Sequence, residues 1–180
     1  MTTILLCGKM NDTSFRDALL PALSEFGSGI YYNSQSLFLF GKGEPDYLIL
    51  DSEKIPEIKI ENGILLFKNS FDSQEPAHVP VGFSCILESK NFHAAAILQE
   101  TGAAAITCGT SSKDTISIAG LEENNAVLSL QRSVMTINGD LVEPHDFKVT
   151  VHSGIGPHRI LAVCTVLLIL GIDSSAGYSI

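Results

Sequence analysis

The sequence is short of charge, and above all of positive charge. Only 17% of its 180 residues are charged, against about 25% in a typical soluble chain, and 11 are Lys or Arg against 20 Asp or Glu. The net charge of −9 argues against nucleic acid as a partner, because phosphate binding depends on basic side chains releasing counterions. With 45% apolar residues, the low charge predicts a large buried core rather than disorder.

Long hydrophobic runs are also missing. The longest, Ile160–Ile172, has thirteen residues, whereas a membrane-spanning helix needs about twenty. The first residues, Met1–Leu6, lack the basic start and the cleavage site of a signal peptide. We therefore expect a cytoplasmic protein that does not contact a membrane.

The cysteines show no spacing typical of a metal site or a redox motif. They lie far apart, each within an apolar stretch, at Cys7, Cys85, Cys108 and Cys164. This pattern predicts buried, reduced thiols, as in a cytosolic protein.

Short apolar runs alternate with helical patterns along the first 110 residues, which is typical of an α/β domain with a parallel sheet. Four runs predict buried strands: Thr3–Cys7, Asp46–Asp51, Gly82–Leu87 and Ala104–Cys108. Apolar residues at helical spacing predict helices over Phe15–Phe26 and Asn91–Glu100.

Turn signals and a final helix complete the pattern. Asn62-Gly63 within Ile58–Phe67, and Asn138-Gly139, predict two hairpins, the second with a type I′ turn. Short, partly alternating strands over about 115–152 predict a small antiparallel patch. The very apolar stretch 157–170 predicts a helix that is buried on most sides or contacts another subunit.

Three stretches carry a family resemblance. Ile4–Leu6 runs into the loop Cys7-Gly-Lys-Met-Asn-Asp-Thr-Ser14, Cys85–Asn91 leads through a helix into Ala105–Gly109, and Gly156–Val163 is followed by Leu-Gly-Ile. In this order and spacing they resemble the central, ATP-binding domain of the Mur ligases, which join amino acids to UDP-muramoyl precursors of peptidoglycan. The family's phosphate loop reads T-G-T-N-G-K-T-S.

The resemblance covers nearly the whole chain. It implies one domain over 1–180, a three-layer α/β fold with a mostly parallel central sheet of the phosphate-loop type and a small antiparallel extension. It also implies a bacterial protein connected with peptidoglycan precursors.

The loop departs from the family pattern in its charge. Gly8, Thr13 and Ser14 match, but Asn11 replaces the second glycine and Asp12 takes the position of the lysine. A lysine neutralises phosphate charge, and one charge pair at 4 Å contributes about 4 kcal/mol at an effective dielectric constant of 20. Exchanging that lysine for an aspartate therefore predicts the loss of ordinary ATP binding.

Other departures point the same way. Arg159 and Ala162 take the positions of two asparagines that contact the nucleotide base in the family. Asp46–Asp51 matches the family's acidic, metal-associated strand, and the segment that follows it is shortened. We also expect the protein to lack both flanking domains of the family. We assign no catalytic residue, cofactor or metal, and expect a vestigial cofactor site of Gly8, Lys9, Asn11, Asp12, Thr13, Ser14, Asp51 and Arg159.

The leading hypothesis is a non-catalytic descendant of the family. It would act through protein contacts or self-association, with the apolar last helix as the contact. The alternative is a nucleotide or small-molecule binding module that reuses the loop and Asp51, with Lys9 substituting for the missing lysine. An open nest of N–H groups over Gly8–Ser14 favours binding, whereas Asp12 folded in as a helix cap would fill that site.

Three further constellations offer other chemistry. Cys7 and Cys108 could meet at the carboxyl edge of the sheet, where His93 or His158 could activate a thiol of depressed pKa. Asp12 and Asp51 could form a carboxylate pair that holds Mg²⁺ or carries out acid–base chemistry. A cluster of His145, His152 and His158 could hold a metal. The simpler interpretation is buried thiols, solvated carboxylates and surface histidines.

Overall fold

In the computed structural model, which describes residues 1–75, 77–152 and 154–180, the chain forms an eleven-stranded sheet with helices on both faces. Its strands are β1 (Thr2–Cys7), β2 (Gly29–Tyr32), β3 (Leu37–Phe40), β4 (Tyr47–Ser52), β5 (Gly63–Phe67), β6 (Phe83–Glu88), β7 (Ala105–Gly109), β8 (Ile116–Leu121), β9 (Asn125–Leu130), β12 (His145–Thr150) and β13 (Tyr178–Ser179). A separate ribbon pairs β10 (Val134–Met135) with β11 (Leu141–Val142). The helices are α1 (Ser14–Ser24), α2 (Phe92–Thr101) and α3 (Pro157–Ile169).

The sheet order is β13-β12-β9-β8-β7-β6-β5-β1-β4-β2-β3. The central run from β8 to β2 is parallel throughout, while β9 and β12 add antiparallel strands at one end and β3 adds one at the other. The predicted fold class, a mostly parallel α/β sheet with a small antiparallel extension, is confirmed.

The first strand lies at the centre of the core because successive side chains of a strand point to opposite faces. Ile4 and Leu6 belong to the core under α1 and α3, whereas Leu5 and Cys7 belong to a second core under α2. Both faces of β1 are therefore buried, which explains its uninterrupted apolar run.

The last helix is internal to the chain. Every residue from Ile160 to Leu170 is buried, and α3 packs against both α1 and the sheet. Packing within the core of this chain accounts for the apolar character of α3. That character is therefore no longer an argument for the predicted contact with another subunit. Within the described residues, no helix has both the length and the apolar character that crossing a membrane would require.

Two turn predictions need correction. Gly63 does not form a hairpin turn with Asn62; it opens β5, which pairs in parallel with β1 and β6. A Cβ there would lie 2.5 Å from the carbonyl oxygen of Thr3, so the glycine allows β5 to lie close to β1.

Asn138-Gly139 does lie in a hairpin, but the turn is not of type I′. Met135 pairs with Leu141, which leaves five residues in the loop. Gly139 has a φ of +88°, but no described residue other than glycine has a positive φ. A type I′ turn needs positive φ at both central residues, so Asn138 cannot occupy one.

The environment of Gly63 generates a stability prediction. Replacing Gly63 with Ala should destabilise the protein by about 1–3 kcal/mol, because the added methyl group meets the Thr3 carbonyl and the ring of Phe83. The control is Gly120→Ala in β8, where a Cβ meets nothing within 4 Å, and its effect should stay within about 0.5 kcal/mol. Urea unfolding measures both, and equal effects would contradict this account of β5.

Candidate functional site

The site lies where three neighbouring parallel strands end. The loop of residues 8–13 follows β1, Asp51 is the last residue but one of β4, and Lys68 comes directly after β5. The register sets them side by side, since Leu6 pairs with Asp51 and the Lys68 N–H bonds to the Cys7 carbonyl at 2.7 Å. This carboxyl edge is where open α/β sheets bind their ligands.

Lys68 is the centre of the site, and its side chain is fully buried. Its Nζ lies 2.6 Å from Asp51 Oδ1 and donates to the backbone oxygens of Asp12 and Lys9 at 2.9 and 3.2 Å. Two of the three N–H donors of the ammonium group are thus bonded to backbone oxygens, and the Asp51 carboxylate supplies the opposite charge. A buried charge requires such pairing, because leaving it uncompensated costs several kcal/mol.

The second oxygen of Asp51 is also bound. Tyr31 donates its hydroxyl hydrogen to Asp51 Oδ2 at 2.8 Å, and Asn33 Nδ2 donates to the Tyr31 oxygen at 3.1 Å. Burial, reinforced by the bond to Asp51, raises the pKa of Tyr31 to about 12, so the phenol stays protonated as a donor. The Asp51 carboxylate therefore lies in a buried network of Lys68, Tyr31 and Asn33.

The Asp12 carboxylate folds back over the start of α1. Its Oδ1 accepts from the N–H and the hydroxyl of Ser14 at 3.2 and 2.5 Å, and its Oδ2 accepts from the Ser70 hydroxyl at 2.6 Å. Burial alone would raise the Asp12 pKa, but the bonds from Ser14 and Ser70 outweigh it and lower that pKa. A carboxylate at this position also interacts favourably with the positive end of the helix dipole.

Gly8 makes room for the lysine. A Cβ at Gly8 would lie 2.6 Å from Lys68 Cβ and 3.0 Å from Ser70 Oγ, and its φ of +152° is one that other residues rarely adopt. The glycine shared with the family's phosphate loop therefore contacts a side chain of this same chain.

The polarity of the loop is the reverse of that in a phosphate-binding loop. Phosphate loops aim backbone N–H groups at an anion. Here the carbonyl oxygens of Lys9 and Asp12 face a cation, and the Asp12 carboxylate accepts the first N–H of the helix. Residues 8–14 thus enclose an internal ammonium group and do not form an open nest.

The Lys9 side chain lies outside this network. Its Nζ is 2.9 Å from Asp72 Oδ2 on the surface, and the hydrogen bond to Asp72 raises its pKa. A depression of about 490 Å³ lies beside it, lined by Lys9, Met10, Asn11, Gln35, Glu53 and Asp72. With one positive and two negative side chains, this depression does not favour an anion.

The structure brings most of the predicted site together. Gly8, Asp12 and Asp51 contact Lys68, and Lys9 contributes its backbone oxygen. Ser14 joins them by binding the Asp12 carboxylate. The other predicted residues have different partners. Thr13 donates to Asp17, and the Arg159 guanidinium donates to the Gly154 carbonyl in its own segment; Asn11 is exposed. The functional roles assigned to these residues stay predictions.

The proposed cysteine pair does not form. Cys7 and Cys108 belong to different cores on opposite faces of the sheet, and β5 and β6 separate their strands. Burial raises the pKa of both thiols to about 12, although hydrogen bonds with Ser52 and Thr165 act in the other direction. The hypothesis of an activated thiol at this edge is therefore wrong.

The carboxylate pair and the histidine cluster are not assembled either. The Asp12 carboxylate binds Ser14 and Ser70, whereas the Asp51 carboxylate contacts Lys68 and Tyr31. Each histidine has its own partner, Ser174 for His145, Ser179 for His152 and Glu88 for His158. Over residues 1–75, 77–152 and 154–180, no three His, Cys, Asp or Glu side chains gather in a manner suited to a metal ion.

Comparison with solved structures identifies the architecture. The MurF ligase from Thermotoga maritima, solved in complex with ADP, matches with a TM-score of 0.53 at 11% identity. The murein peptide ligase Mpl from Psychrobacter arcticus matches with a TM-score of 0.57 at 9% identity. The fold is that of the Mur ligases.

The Mur ligase match covers 97% of this chain in both cases but only 47% and 45% of the two ligases, so the chain spans about half of their length. No protein-family profile matches the sequence, and no curated protein sequence does. At these identities the likeness establishes a Mur ligase fold, and the family resemblance seen in the sequence motifs agrees with it.

Sequence reasoning missed the residue at the centre of the site. Lys68 follows the all-apolar strand 64–67, where a charge needs a buried partner. Together with an aspartate at the lysine position of the loop, this pattern indicates that a lysine after β5, and not one in the loop, supplies the positive charge. Ser70 and Tyr31 carried no such signal, because only the folded chain brings them to Asp12 and Asp51.

The Lys68–Asp51 pair predicts a strong energetic coupling. Lys68→Met and Asp51→Asn should each destabilise the protein by about 3–5 kcal/mol, because each leaves a buried partner without its opposite charge. The double variant should lose clearly less than the sum, since it leaves neither charge unpaired and its new amide oxygen can still accept from Tyr31. Urea unfolding of the four proteins gives the coupling energy. Additive losses would contradict a direct buried ion pair.

Proposed function

We propose that this chain is a non-catalytic domain with the Mur ligase fold, in which residues 1–180 act as one unit and work through protein contacts. The observation that carries its non-catalytic part is the Lys68 ammonium inside the loop, bound by the Lys9 and Asp12 carbonyls and paired with Asp51. The likeness of the fold to two Mur ligases supports the further part of the proposal, a connection with peptidoglycan precursors in the bacterial cytoplasm.

The loop chemistry supports the loss of nucleotide binding. A triphosphate at the start of α1 would meet the Asp12 carboxylate, which already accepts the Ser14 N–H. The nearest buried cation, Lys68, could reach a phosphate only by leaving Asp51. Breaking a buried ion pair costs about 3–5 kcal/mol, and each 1.4 kcal/mol is tenfold in affinity. The dissociation constant for a triphosphate should therefore be higher by about two to four powers of ten.

The same contacts disfavour the metal chemistry that a ligase site would need. The Asp51 carboxylate has its two oxygens engaged by Lys68 and Tyr31. A divalent cation beside it would have to displace the ammonium group, and the two positive charges could not share so small a buried space. We therefore assign no cofactor or metal to this chain.

The second candidate is a small-molecule binding module at the depression beside Lys9. Its support is the volume of about 490 Å³, together with a lysine that lies on the loop. The charges of Glu53 and Asp72 oppose an anionic ligand there. This candidate is kept as an outcome of the experiment below.

The proposal predicts no stabilisation by nucleotides. A ligand at 100 times its dissociation constant adds about 2.7 kcal/mol, which raises the Tm of a domain of this size by roughly 5–10 °C. Thermal unfolding should show no such rise with millimolar Mg·ATP or with UDP-N-acetylmuramoyl compounds.

Two variants make this experiment decisive. A clear rise in the Tm with Mg·ATP would overturn the proposal, and its disappearance in Lys9→Gln would identify the depression beside Lys9 as the binding site. Arg132→Gln serves as the matched control for the lost positive charge, since Arg132 bonds to the Lys113 carbonyl far along the chain.

A further inference from the structure

The sheet ends at a strand whose outer edge is open. In the described sheet, β3 pairs only with β2, in antiparallel register from Gly29–Phe40 to Tyr32–Leu37. A strand at a sheet edge presents backbone N–H and C=O groups that can pair with another strand. Natural edges are commonly protected by lysine, proline or a bulge, but this one reads Leu-Phe-Leu-Phe.

The side chains of β3 divide between two environments. Phe38 stacks on Tyr31 with ring centroids 5.0 Å apart, and Phe40 packs against the core under α1. Leu37 and Leu39 point to the other face and are each 71% exposed. Tyr32, which pairs with Leu37 and shares its face, is 47% exposed. Three large apolar side chains thus form one exposed patch beside an open edge.

Charge indicates which partner fits this surface. Residues 27–41, which include β2, β3 and their connection, contain no charged residue in a chain of net charge −9. Two copies that approached through other surfaces would meet like-charge repulsion. The uncharged segment 27–41 is a surface through which two such acidic molecules can meet without that penalty.

We propose that β3 is a self-association edge, at which two copies of this chain pair their β3 strands antiparallel across a two-fold axis. The pairing satisfies the open backbone groups and covers Leu37, Leu39 and Tyr32 with the same patch of the second copy. Such a contact is isologous and closes at two subunits. In this proposal the self-association surface is the edge of the sheet, and not the buried helix α3 that the sequence predicted.

The size of the patch sets the expected affinity. A four-residue strand with two exposed leucines and the neighbouring Tyr32 of β2 buries less than the roughly 1,200 Å² of a standard stable interface. The dimer should therefore be a reversible one, with a dissociation constant of about 10 to 100 µM. This inference rests on the protein-contact part of the proposed function and is independent of the nucleotide result.

Sedimentation velocity from about 5 to about 200 µM tests the proposal. The wild type should shift from monomer towards dimer across this range. Leu39→Lys should weaken the association at least tenfold, because a lysine on the edge places two like charges in the contact. Leu141→Lys is the matched control, since Leu141 is 56% exposed on the β11 ribbon, and it should dimerise as the wild type does.

A wild type that stays monomeric over the whole range would overturn the proposal. So would a dimer that survives Leu39→Lys, or one that is lost in Leu141→Lys with its fold intact. If Leu39→Lys does not fold, amide hydrogen exchange of the wild type gives the answer. The amides of 37–40 should exchange more slowly at high protein concentration than at low, and no dependence on concentration would refute the paired edge.

Discussion

The structure around the loop depends on one buried ion pair. Lys68 and Asp51 lie 2.6 Å apart with almost no exposure, and the backbone of the loop wraps the ammonium group. Gly8 is needed because the Lys68 side chain passes against it. Tyr31 and Asn33 complete the carboxylate side, which links the loop after β1 to β2, β4 and β5. A buried pair of this kind adds little net stability compared with apolar packing, but losing one partner is costly, so it fixes the arrangement of these elements.

The same ion pair occupies the part of the fold where a ligand could bind. The Mur ligase fold places a loop at the start of a helix, where an anion normally meets backbone N–H groups. In this chain the Asp12 carboxylate accepts the first N–H of the helix, and the Lys68 ammonium group lies within the loop. One fold is compatible with different chemistry at its edge, because the core under α1 and α3 is built from buried apolar side chains.

Sequence patterns predicted the elements that depend on short apolar runs. The strands β1, β4, β6 and β7 and the helix α3 could be read from composition and spacing, and the order of motifs indicated the fold class. The predicted burial of β7 was wrong for most of the strand, since only Cys108 and Gly109 are buried. Asn62-Gly63 misled because a turn signal cannot show that a strand must pass close to Thr3. Lys68 was missed for a similar reason: its partners lie 17, 56 and 59 positions away in the chain. The edge strand β3 also escaped notice, since its short Leu-Phe-Leu-Phe run is a strand only beside β2.

Nuclear magnetic resonance of the lysine side chains tests the central claim most directly. A fully buried, ion-paired ammonium group exchanges its protons with water far more slowly than an exposed one, because water does not reach it and two of its N–H groups are bonded to carbonyl oxygens. The account predicts a protected Lys68 Nζ signal at neutral pH, distinct from the other lysines and unchanged by millimolar Mg·ATP. A Lys68 signal that exchanges as fast as those of surface lysines, or that moves when Mg·ATP is added, would contradict a loop filled by its own lysine.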